Sequence, residues 1–259
     1  MLKFKQSMEI TLPKLLEGKP TIIKNKKYFA TKEYVNPFLD TMSKFTDNFI
    51  VRVQTPDQIT TTDGEEDLTF NRVWIQAVLP EKYTIDNHDE VYGLIYGLDV
   101  RQPIYKVYRG MLNRACTNLC VFDPAWLQVC ELTPGEYFTY SIKSLMEQVS
   151  RFENKLSYMK STYLPCELEE RHQMLGRHIE KAMLEEYRTI AGKVKIASSV
   201  VIKAYEDVYH DTSSQYYVKD GLSTIFNYYN AFTEIIRDDA RDIMNKFEKT
   251  MLVNSLLGL

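Results

Sequence analysis

Between Phe49 and Gly110 apolar and polar residues repeatedly alternate, and this period constrains the fold more than any other feature of the chain. The segment FIVRVQ sets Phe49, Val51 and Val53 against Ile50, Arg52 and Gln54. TFNRVWIQAVLP, from Thr69, sets Val73, Ile75, Ala77 and Leu79 against Arg72, Trp74 and Gln76. Successive side chains of a strand point to opposite faces, so each segment reads as a strand with one apolar face. A long acidic connection, TPDQITTTDGEEDL, joins them and carries a turn at Asp63-Gly64. EVYGLIYGLDV, from Glu90, and PIYKVYRG, from Pro103, read as two further strands. An antiparallel sheet of about three to five strands is expected, with a helix over 31–46 nearby.

After Thr133 the period changes to 3.6 residues. Thr133-Pro134-Gly135-Glu136 combines an N-cap, a proline at the first helical position and a capping-box glutamate. Ile142, Leu145, Met146, Val149, Phe152, Leu156 and Met159 then form a helical stripe that ends before Pro165. A second helix is expected over Glu167–Ala191, with Leu168, His172, Leu175, Ile179, Met183, Tyr187 and Ile190 on one face. A third covers Val194–Tyr209, and HDTSSQ (His210–Gln215) is a loop. Asp220 is a candidate cap for renewed helix. A last helix carries Phe232, Ile235, Ile236, Ala240, Ile243, Met244, Phe247 and Met251 on one side and the charged run Arg237–Asp242 on the other. That run reads as a solvated face. The fold class is α+β: an antiparallel N-terminal sheet packed against a mainly helical C-terminal half. Its regions are 1–132, strand-rich, and 133–259, helical, expected to form one compact unit.

Charge limits the partners. The formal net charge is −3, so nonspecific coating of a polyanion is not available to the whole chain. The balance is uneven: nine lysines against four acids from Met1 to Thr46 leave a local +5. The start, MLKFKQSMEITLPK, lacks the apolar run of a signal peptide, and no stretch reaches the roughly 18 apolar residues of a membrane span. The four cysteines therefore read as reduced thiols, and a cytoplasmic location is expected, the host cytoplasm for a phage-encoded chain. The 18 tyrosines suit half-buried faces and interfaces.

Catalytic motifs are not evident. Cys116 and Cys120 fit a zinc pair only loosely, and no second tight pair follows. Glu169-x-x-His172 is half of a di-iron motif with no second copy, so His172 reads as a core histidine. Cys116 or Cys120 with His88 or His210 is a combination that any such composition offers. There is no P-loop, G-x-S-x-G or G-x-G-x-x-G. No catalytic residue, metal or cofactor is assigned.

Nucleic acid is the remaining chemistry. Arg52, Arg72 and Trp74 fall opposite the most apolar strand faces, and Tyr105, Lys106, Tyr108 and Arg109 interleave base with aromatic ring. Cations neutralise phosphates and rings stack on bases, which is what a single strand requires. The competing reading is the polar outer face of an ordinary sheet.

YRGMLNRACTNLCVF, through Arg114, Cys116, Thr117, Asn118 and Leu119, resembles the signature of the phage/plasmid-like family of unknown function. IFNYYNAFTEII, from Ile225, looks like the same family's C-terminal segment. The resemblance implies a mobile-element origin and a layout similar to that of phage single-strand annealing proteins. Asn118 and Thr117 are read as bonding local backbone where the chain leaves the sheet, with Cys116 and Leu119 in the core beneath. The expected function is non-enzymatic binding of single-stranded nucleic acid by a homo-oligomer. Lys24, Lys26, Lys27, Arg52, Arg72, Lys106, Arg109 and Arg114 would contact phosphates, and Trp74, Tyr105 and Tyr108 would stack. The alternative is an interaction module that binds a host protein, for example to blunt defence.

Overall fold

The alternating segments form strands where their period places them. The computed structural model describes residues 8–17, 21–23, 26–28, 31–54, 72–84, 87–98, 103–114, 119–120, 127–129, 150–189, 192–219, 222–239 and 243–259. The fold is α+β, with an antiparallel sheet in the N-terminal half and mainly helix in the C-terminal half. The chain divides into two compact units: 1–114, 125–147 and 241–244 form one, and 115–124, 148–240 and 245–259 the other. The division expected at Thr133 lies outside the described residues, as does the Thr133–Glu136 cap.

In unit 1, β1 (Met8–Ile10) leads into α1 (Leu12–Leu16). Two short strands, β2 (Thr21–Ile23) and β3 (Lys26–Tyr28), pair with each other in a two-stranded sheet of their own. The predicted helix follows as α2 (Thr31–Met42), which buries Val35, Phe38, Leu39 and Met42 at helical spacing. Pro37 sits inside it, and the Thr41 hydroxyl donates to the Pro37 carbonyl at 2.9 Å.

The main sheet continues with β4 (Phe49–Gln54), β5 (Arg72–Val78), β6 (His88–Leu98) and β7 (Pro103–Asn113). Its order β1-β4-β5-β6-β7 is antiparallel throughout. A further strand segment, β8, is Leu119–Cys120, and β9 (Leu127–Val129) pairs with β7. Asn87, at φ 63°, takes a left-handed conformation entering β6, and its carbonyl accepts the Arg114 N–H at 3.1 Å. Helices α1 and α2 pack on the sheet at β4 and β6. Val51, Val53, Val73, Ile75, Ala77, Leu94 and Val107 are fully buried and share one face by register.

Unit 2 holds α3 (Ser150–Ser161), α4 (Leu168–Leu184), the hairpin β10 (Tyr187–Thr189) and β11 (Gly192–Val194), α5 (Ser198–Tyr209), α6 (Ile225–Asp239) and most of α7 (Ile243–Leu257). Helix α5 packs on α4 and α6, and α3 packs on α6. The second helix thus stops at Leu184 and gives way to a hairpin, where the sequence predicted helix to Ala191. The last predicted helix is two helices, α6 and α7, and the described cap of α6 is Thr224, whose Oγ1 accepts the Asn227 N–H at 3.3 Å.

Candidate nucleic-acid interface

Strand pairing decides which candidate residues meet. Register sets Arg52 opposite Trp74, Trp74 opposite Ile95, and Ile95 opposite Lys106. The adjacent row is Ile50, Gln76, Gly93 and Tyr108, and another holds Gln54, Arg72 and Gly97. Directly opposed residues share a face, and so do every-other rows. Arg52, Arg72, Trp74, Lys106 and Tyr108 therefore belong to one face of one sheet. Arg109 and Tyr105 hold the alternate register positions, so the seven sheet candidates do not form one surface.

Exposure corrects the expectation of an open polar face. Trp74 is 6% exposed, Arg72 7%, Lys106 6% and Tyr108 0%. Among these five, only Arg52 keeps substantial contact with solvent, its side chain 33% exposed. For Trp74 and Tyr108 the reason is that each satisfies the other. The Trp74 Nε1–H donates to the Tyr108 hydroxyl at 2.6 Å, and the rings meet edge to face with centroids 6.4 Å apart. Burial raises the Tyr108 pKa, while hydrogen bonds from Trp74 and Gln76 and the Arg52 charge oppose the rise. A partnered polar group can be buried at little net penalty, so alternation of polarity here does not mean alternation of solvent. Gly93 makes room for this arrangement: a Cβ there would overlap the Tyr108 ring.

Arg109 also departs from its expected role as a phosphate contact. It is fully buried, with Nη2 2.6 Å from Glu90 Oε1. The Tyr92 hydroxyl donates to the same carboxylate oxygen at 2.8 Å, and the guanidinium lies 5.9 Å from the Tyr92 ring centre. Breaking a buried pair of this kind by removing one partner costs about 3–5 kcal/mol. Arg109 therefore belongs to the interior of unit 1.

Arg114 is exposed but caged. Its Nε donates to Asp89 Oδ1 at 2.8 Å, Nη2 donates to Thr84 Oγ1 at 3.0 Å, and Nη1 lies 3.4 Å from Glu81 Oε1. The hydrogen bond to Asp89 raises its pKa, with Glu81 adding to the effect. A phosphate at Arg114 would compete with two carboxylates. Arg52 is held more loosely, its Nε 3.8 Å from Glu9 Oε2.

The lysine-rich segment stands differently. Lys26 and Lys27 lie on β3, opposite Ile23 and Ile22, in the separate ribbon. Lys24 falls between the two strands in sequence and lies outside the described residues, as do Cys116, Thr117 and Asn118. Among the described residues, no group of three or more His, Cys, Asp or Glu could hold a metal ion, and no helix is long and apolar enough to cross a membrane.

Sequence reasoning missed the acidic partners Glu9, Glu81, Asp89 and Glu90. Their pairing depends on strand register and on a turn, which charge patterning along the chain does not reveal. Comparisons with protein-family models, with curated proteins and with solved structures give no match.

Proposed function

We propose that the chain is a non-enzymatic protein that binds the backbone of single-stranded nucleic acid, and that the lysine-rich ribbon β2–β3 makes the main phosphate contacts. The observation that carries this reading is the ribbon itself. The most lysine-rich stretch of a region with a local +5 folds as a two-stranded sheet separate from the main one. Lys26 and Lys27 lie on β3 of that ribbon and Lys24 falls between its two strands in sequence, whereas the described cations of the main sheet are buried or paired. The proposed mode is electrostatic, with little base stacking, because Trp74 and Tyr108 are withdrawn from solvent. A phage or plasmid setting, which the resemblance of the Cys116–Asn118 segment implies, would supply such strands. Action as a homo-oligomer is part of the proposal.

The test is affinity for a labelled oligo-dT measured against salt. Each phosphate neutralised contributes about 0.7 to the slope of log K on log salt for a single strand. The triple variant Lys24→Gln, Lys26→Gln, Lys27→Gln should flatten that slope by about 2. Lys193→Gln on β11 together with Lys195→Gln just after it, both in unit 2, should leave it unchanged. Absence of binding at low salt, or a triple variant that binds like the parent, would overturn the proposal.

A second reading, binding of a host protein, has an observation of its own. Tyr163 and Leu222 are 62% and 55% exposed on either side of the Tyr163–Thr224 bridge, and Tyr158 is exposed near the end of α3. A crosslinked partner that is lost on Tyr163→Ser with Leu222→Ser, together with no oligo-dT binding, would favour this reading over the first.

A further inference from the structure

We draw no further inference here: the strongest candidate, the open cleft in unit 2 between α5, the 211–216 loop and α6, lined by Lys203, Asp207, Asp211 and Glu234, rests on clustered acidic side chains alone, with no second feature of the structure pointing to a ligand.

Discussion

Two glycines with the same chemical freedom should respond oppositely to a methyl group. Gly93 lies directly opposite Tyr108 in the β6–β7 pairing, and the Tyr108 ring occupies the space a Cβ would need. Gly93→Ala must push that ring aside, and the ring also accepts the Trp74 hydrogen bond through its hydroxyl. Forcing extra volume into a packed core costs about 1–3 kcal/mol. Gly176, in the middle of α4, has no atom within 4 Å of where its Cβ would be apart from its chain neighbours and its own helix backbone, and it is exposed. There the substitution only restricts the unfolded chain and removes a poor helix former. Gly176→Ala should therefore stabilise by about 0.5–1 kcal/mol. Urea midpoints of the two variants should move in opposite directions. A Gly93→Ala midpoint that rises would show that Tyr108 does not lie over Gly93.

At the scale of elements, what could be read from the chain depended on how many neighbours an element has to satisfy. β4 to β7 are where the alternation put them, because a period of two survives in any register. What alternation could not give was solvent: β5 is buried along its whole length, Arg72 and Gln76 included. Helix α4 shows the same limit in another form. The apolar stripe predicted the face of Leu168, His172, Leu175, Ile179 and Met183, yet Leu168 and Met183 are more than half exposed and His172 is exposed. The buried residues are Met174 and Ala182, with His178 between them on the same face. That face lies roughly one residue, or 100°, around the helix. It wins because its polar members bring rings and cations into contact: His178 stacks on Tyr228 at 5.6 Å, and the Arg171 guanidinium lies 4.5 Å over Tyr209. The core histidine expected at His172 is not found there: His172 is exposed, and the histidine of this helix that packs inward is His178. Its burial has a pH consequence. Desolvation, then the charges of Arg177 and Lys181, pushes the His178 pKa down to about 4. Unfolded, it titrates near 6.5. Between those values the unfolded chain binds the extra proton, so stability rises with pH there. The contribution is complete above about pH 6.5 and is lost as pH falls toward 4. Partial exposure reduces it to about 2 kcal/mol. His178→Phe should remove this part of the acid slope in urea midpoints taken between pH 7 and pH 4.5. A variant with the parent's slope would place the titration elsewhere.

For the molecule as a whole, the chain divides into two compact units, each with buried residues of its own. The two differ in their spectroscopic content. Trp74 belongs to unit 1, and helices α3 to α6 belong to unit 2. In a Trp126→Phe background the remaining tryptophan fluorescence therefore reports unit 1, while helical ellipticity reports mainly unit 2. A lesion in either core can be read by the probe inside it. Gly93→Ala acts on the sheet of unit 1. Tyr209→Phe acts on unit 2, where the Tyr209 hydroxyl donates to the Pro165 carbonyl at 2.9 Å and ties α5 to the segment before α4. Loss of one such bond costs about 1 kcal/mol. Urea unfolding followed by both signals should show Gly93→Ala lowering the fluorescence midpoint more than the ellipticity midpoint, and Tyr209→Phe doing the reverse. Large domains with separate cores depart from two-state unfolding in this way. If each variant shifts both midpoints equally, the two cores unfold as one cooperative body, and the single-unit expectation drawn from the sequence is the better description of how the chain holds together.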